Sequence, residues 1–84
     1  MNIHKYISVN PNICHGKPCF KGTRIMVYLV LEMLAYGESP QDIIKNAYPQ
    51  LTLKYIDAAL EYSAQMVKSG HIVKMTPPYA VSGG

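Results

Sequence analysis

The sequence predicts a mainly α fold, a helix-turn-helix core preceded by a short N-terminal β-arm or hairpin. Two observations carry this. Helix stops and starts follow one another in order, Gly37 then Ser39-Pro40, Tyr48-Pro49 then Thr52, and last Gly70, cutting residues 27–70 into three helices. Ahead of them, residues 1–26 alternate loosely and are punctuated by glycine and proline, which suits strands and turns. Eighty-four residues make one domain. The expected division is a β-arm over 1–26, a three-helix core over 27–70 and a tail over 71–84.

In the arm, Ile3, Lys5, Ile7 and Val9 fall on one side and His4, Tyr6 and Ser8 on the other, which predicts a strand ended by Asn10-Pro11-Asn12. Gly16 and Gly22 mark turns, Pro18 limits ladder pairing, and a second short strand is expected around Cys19–Phe20. The first helix should run from about Met26 to Tyr36. It is apolar almost all round, with Glu32 its one charge, so it should be buried on more than one side. Gly37 is its stop, because glycine takes the left-handed conformation without a Cβ penalty.

Ser39-Pro40-Gln41-Asp42 then supplies an N-cap, a proline at the first helical position and an early acid. The second helix should face inward through Ile43, Ile44, Ala47 and Tyr48 and end near Tyr48, since residues before proline avoid helical dihedrals. Thr52 is expected to cap a third helix from Leu53 to about Ser69. On it Leu53, Ile56, Leu60, Ser63 or Ala64, and Val67 form a heptad-like seam, with Tyr55, Ala59, Tyr62 and Met66 as a second stripe. Lys54, Asp57, Ala58, Glu61, Gln65 and Lys68 are left for solvent. At about 1.5 Å per residue this helix outreaches a short neighbour, so its second half is expected to contact another subunit. The tail holds Pro77-Pro78 and Ser82-Gly83-Gly84 and is expected to be extended or disordered.

Hydrophobic residues make up 49% of the chain and charged residues 15%, against roughly 25% charged in an average domain, which leaves apolar surface for a partner. A chain this short buries only about 60 to 65% of its unfolded surface, so a homo-oligomer, most simply a dimer, is expected. The net charge of +3 is unevenly spread. Lys5, Lys17, Lys21 and Arg24 precede any acid, whereas residues 27–70 set three lysines against five acids and Lys74 lies in the tail. A bound polyanion would therefore meet the N-terminal segment first.

The start MNIHKYISVN lacks the apolar run of a secretory signal, and Ile25–Ala35 is too short to span a membrane, so a cytoplasmic location is expected. There Cys14 and Cys19 should be reduced thiols, a bridge across so short a loop being possible but more often a redox accident than a framework.

Several blocks stand in a recognisable order: Pro11-Asn12-Ile13, Gly16-Lys17-Pro18, Phe20-Lys21-Gly22-Thr23-Arg24-Ile25, Gly37-Glu38-Ser39-Pro40, Tyr48-Pro49-Gln50-Leu51-Thr52 and Ala58-Ala59-Leu60-Glu61-Tyr62. Over roughly residues 3–64 the chain resembles the small prokaryotic proteins of the domain of unknown function 433 family. The resemblance implies a homeodomain-like three-helix fold with a β-arm. It also implies an antitoxin of a toxin-antitoxin pair, encoded beside a PIN-like ribonuclease toxin. Cys14, Cys19 and the tail after Gly70 fall outside it.

In a helix-turn-helix the second helix presents its N-terminal residues to base edges, which nominates Thr52, Lys54 and Tyr55, with Asp57 and Ala58 behind them. Their structural alternatives are a cap, a solvated lysine and a packed ring. Lys17, Lys21 and Arg24 lie in a glycine-punctuated loop suited to phosphate oxygens; the alternative is a solvated loop with Arg24 in a structural role. Tyr28, Leu31, Tyr62 and Met66 are the expected oligomer interface.

No P-loop order is present. Cys14-His15 and Cys19 do not have a usual metal spacing, no cofactor is implied, and no catalytic set stands out, so the chain does not read as an enzyme. The expected function is a DNA-binding, autoregulating antitoxin whose partners are operator DNA and a toxin nuclease. The alternative is a dimerisation or adaptor module that binds no DNA.

Overall fold

The computed structural model describes residues 1–70, so the expectations for the 71–84 tail and for Lys74 lie outside the described residues. The chain forms β1 (Ile7–Ser8), β2 (Cys19–Phe20), α1 (Val27–Ala35), α2 (Pro40–Asn46) and α3 (Leu53–Lys68). The two strands pair antiparallel, Ile7 with Phe20 and Ser8 with Cys19. The expected architecture of three helices behind an N-terminal hairpin is what the chain adopts.

The strand expected over Ile3–Val9 is mostly something else. Ile3–Lys5 is a turn of 3-10 helix whose first amides are met by the Asn2 side chain, which accepts from the His4 N–H at 3.1 Å. Ile3 and Ile7 are both buried, four residues apart, while Val9 is 59% exposed. A helical turn followed by two strand residues thus buries apolar side chains that strict alternation would also have placed inside. Asn10 ends the segment as expected. Its carbonyl accepts from Ile13 N–H and its side chain from Asn12 N–H, a turn with Pro11 in the position that suits proline.

The helix boundaries follow local chemistry. At the end of α1, Gly37 (φ 96°) donates to Leu34 O and Glu38 to Met33 O, the paired bonds of a Schellman stop. Ser39 Oγ accepts from Asp42 N–H at 3.1 Å and Pro40 opens α2. Pro49 is second in the turn closed by Leu51 N–H to Tyr48 O, and this turn drives Leu51 into the core at 2% exposure. Thr52 has the extended backbone of an N-cap, but its hydroxyl makes no capping bond.

Phe20, Val30, Ile43, Ile56, Ala58 and Ala59 are fully buried, with Val27, Ile25, Leu51, Ile3 and Ile7 around them. The third helix therefore turns a different face inward from the one its largest aliphatics suggest. Leu53, Leu60 and Val67 of the expected seam are 47%, 46% and 74% exposed, and Ala58, expected in solvent, is buried. The inward arc runs through Tyr55, Ile56, Ala58, Ala59, Tyr62, Ser63 and Met66, displaced by roughly a quarter-turn. Small side chains at 58 and 59 let the other helices approach the α3 backbone, and the tyrosines reach past them. On α2, Ile43 is buried and Ile44 and Tyr48 half-buried, whereas Ala47 is an exposed C-cap residue.

Two truncations on α3 separate these faces. Ile56→Ala is expected to cost about 2 to 5 kcal/mol and Leu60→Ala about 1 kcal/mol or less, read from the urea midpoints of the two variants.

Candidate functional site

The block Phe20-Lys21-Gly22-Thr23-Arg24-Ile25 folds as one tight loop. Thr23 N–H donates to Phe20 O, and Gly22, third in that turn, has φ 83°, which side-chain-bearing residues rarely adopt. The Thr23 hydroxyl donates to Phe20 O at 2.8 Å and accepts from Ile25 N–H at 3.0 Å. Phe20 N–H donates to Ile25 O, and Val27 N–H to Pro18 O. The loop is thereby closed on itself and tied to the first turn of α1, which has no side-chain cap of its own.

Tyr55 fixes this loop to α3. Its hydroxyl donates to Lys21 O at 3.0 Å. Its ring stands edge-on to Phe20 and Tyr6, with centroids 5.8 and 5.4 Å away. Of the two readings for Tyr55, the packed one describes its ring. Lys21 Nζ donates to His4 O at 3.0 Å and Lys5 Nζ lies 5.8 Å from the Tyr6 centroid. Lys54, beside Tyr55, and Thr52 are exposed, and the first turn of α3 holds no acid. Lys5 and Lys21 thus lie at the Tyr6–Tyr55 pair, while Lys54 is exposed in the first turn of α3 and Asp57 and Glu61 are exposed further along that helix. Lys5 is the member that sequence spacing does not nominate; the 3-10 turn at Ile3–Lys5 brings it there.

The other two basic residues lie elsewhere. Lys17 Nζ sits 5.3 Å from the Tyr28 centroid, at a groove of about 390 Å³ lined by Lys17, Pro18, Val27, Tyr28, Leu31 and Tyr62. Three of the four expected interface residues, Tyr28, Leu31 and Tyr62, therefore converge on one groove; Met66 is half-buried one turn beyond. Arg24 is exposed and lines a separate hollow with Ser8, Ile13, Gly22 and Thr23.

Cys14 and Cys19 form a disulfide, where the sequence suggested two free thiols. Left-handed backbone at Cys14, His15 and Gly16 folds the segment back so that the two Cα atoms are 6.6 Å apart, within disulfide reach. Cys14 Sγ lies 3.4 Å from Arg24 O, a contact that becomes a hydrogen bond only when the sulfur carries a proton. Among the described residues, no group of three or more His, Cys, Asp or Glu is placed to hold a metal ion, and no helix is long and apolar enough to cross a membrane.

Tyr55→Phe keeps both ring contacts and removes the bond to Lys21 O. The expected outcome is a loss of about 0.5 to 1.5 kcal/mol, with faster amide exchange at Phe20 and Lys21, readable by hydrogen-exchange mass spectrometry.

No functionally curated protein matches the sequence. The family described as "Protein of unknown function (DUF433)" matches residues 7–63, spanning both strands and most of α3. A solved structure, the crystal structure of a DUF433 member protein from Anabaena variabilis, superposes with a TM-score of 0.70 at 27% identity, over 80% of this chain and 65% of that one. The chain thus spans about two thirds of that relative's length. On the strength of this match across hairpin, turns and third helix, the chain belongs to the DUF433 family.

Proposed function

We propose that the chain is an antitoxin-type regulator. It binds operator DNA through the basic edge around Tyr6 and Tyr55, assembles as a homo-oligomer, and neutralises a PIN-like ribonuclease toxin by protein contact. In this reading α2, the Tyr48–Leu51 turn and α3 act as a homeodomain-like helix-turn-helix, with α3 as the recognition helix. The single observation that carries it is the Tyr55–Lys21 bond, because it holds a cationic loop against the first turn of that helix.

Phosphates would meet Lys5, Lys21 and Lys54, while Thr52 and Lys54 reach base edges. The position of Asp57 and Glu61 limits productive contact to the first turn, since both would repel phosphate. Affinity then comes mainly from the backbone term, with strong salt dependence.

Leu53, Leu60 and Val67 recur at seven-residue intervals on the exposed side of α3 and support the protein-contact half of the proposal. They equally favour the second reading, a dimerisation or adaptor module that binds no DNA.

The two part in one experiment. Wild-type protein is expected to shift its upstream promoter DNA at low salt. Lys21→Glu and Lys54→Glu should each weaken binding across sequences and lower the salt slope by about one. A neighbouring small nuclease-like gene product should co-purify. Failure of both the shift and the co-purification sinks the antitoxin reading; unchanged biological activity in both charge reversals favours the adaptor.

A further inference from the structure

The outer face of α1 is largely open, covered among the described residues mainly where Lys17 lies over Tyr28. Tyr28, Glu32, Ala35 and Tyr36 are exposed, Tyr36 at 88%, and their spacing places them on one side of the helix. Half-buried Leu31 borders this face and continues it into the groove shared with Tyr62 and Pro18. A helix whose solvent side carries two tyrosines and an alanine leaves apolar area in water.

The charges on this face have a definite order. Glu32 is the one charged residue among the nine of α1. Lys17, from the loop before β2, sits over the Tyr28 ring, one helical turn away from Glu32. The face therefore carries a cation at Tyr28 and an anion one helical turn further along. A foreign acidic segment would answer Lys17 and leave Glu32 facing like charge; a basic one would do the reverse. A second α1 laid antiparallel answers both, because the two-fold operation brings the Lys17 end of each copy to Glu32 of the other. A parallel arrangement would set lysine against lysine.

We propose that this face docks a second copy of the chain. The two α1 helices run antiparallel across a two-fold axis, Lys17 of each copy pairs with Glu32 of the other, and Tyr28 and Leu31 pack between them. This gives a surface to the oligomer in the antitoxin reading and does not itself require DNA. A nine-residue helix is about 13 Å long, so the contact falls toward the small end of specific interfaces, and a micromolar dimer is expected.

Sedimentation velocity of the full chain from about 1 to about 300 μM tests it. The wild type should show a monomer–dimer equilibrium. K17E and E32K should each raise the dissociation constant about tenfold or more, since each faces like charges. The double variant K17E/E32K, which swaps the charges, should recover dimerisation. Circular dichroism checks that each variant is folded, and Glu32→Gln, which removes the charge without reversing it, should weaken the dimer less than E32K.

A wild type that stays monomeric throughout, single reversals without effect, or a double variant no better than the singles overturns the proposal. The mobility shift with promoter DNA is read separately, so loss of the dimer and loss of DNA binding remain distinct results.

Discussion

The fold depends on how Phe20 is enclosed. A hairpin with two residue pairs has almost no stability alone, and neither strand is long enough to bury a face by itself. Phe20 is fully buried because Tyr55 stands edge-on to it from α3 and donates its hydroxyl to the next carbonyl in the chain, that of Lys21. One side chain thus supplies an aromatic wall and a polar anchor, joining residues 34 apart. Once that contact is made, Ile7 and Ile3 are held in the same buried cluster as Phe20 and Ile56.

The same junction explains the form of the Lys-Gly-Thr-Arg-Ile block. For Lys21 O to face Tyr55, the chain must turn back at once, and it does so at Gly22 with a backbone angle that other residues avoid. The Thr23 hydroxyl then satisfies the Ile25 N–H that the turn would leave unpaired and adds a second bond to Phe20 O. A second constraint acts from the opposite end. Cys14, His15 and Gly16 all adopt left-handed backbone, and the Cys14–Cys19 bridge holds that turn against β2. The loop bearing Lys17 is therefore fixed between a disulfide and the pairing of Val27 N–H with Pro18 O, which is what places its cation over Tyr28.

What the sequence made legible was set by neighbours along the chain. Gly37, Ser39-Pro40, Pro49 and Gly70 act within a few residues of themselves, and the helices begin and end where those residues require. The faces of the helices were less legible because they answer to contacts distant in sequence. Leu53, Leu60 and Val67 outrank Ala58 and Tyr62 in hydrophobicity, yet α3 turns the smaller and the aromatic residues inward. Close helix approach needs small side chains, and the hairpin needs tyrosine's reach. Thr52 failed as a side-chain cap for a similar reason: its backbone has the right form but its hydroxyl is not used. The disulfide was hidden because spacing alone does not reveal consecutive left-handed residues at 14–16.

The candidate surfaces were legible only as a list of basic residues, and the structure sorts that list. Lys5 and Lys21 stand at the Tyr6–Tyr55 pair, Lys54 is exposed in the first turn of α3, Arg24 lies beside the turn, and Lys17 lies over Tyr28 on α1. The +4 of the first 26 residues is thus not one patch. Lys17 carries its charge to the helix whose single acid is Glu32, and so balances the one part of the helical unit that has no lysine of its own. If all four cations served a polyanion, an apolar aromatic groove beside one of them would have no evident use. With Lys17 over α1 and Arg24 at its own hollow, only Lys5 and Lys21 remain beside the Tyr55 junction, and the aromatic groove lies apart from them. The separation follows from the loop geometry at 14–25, which sends its two lysines to different faces.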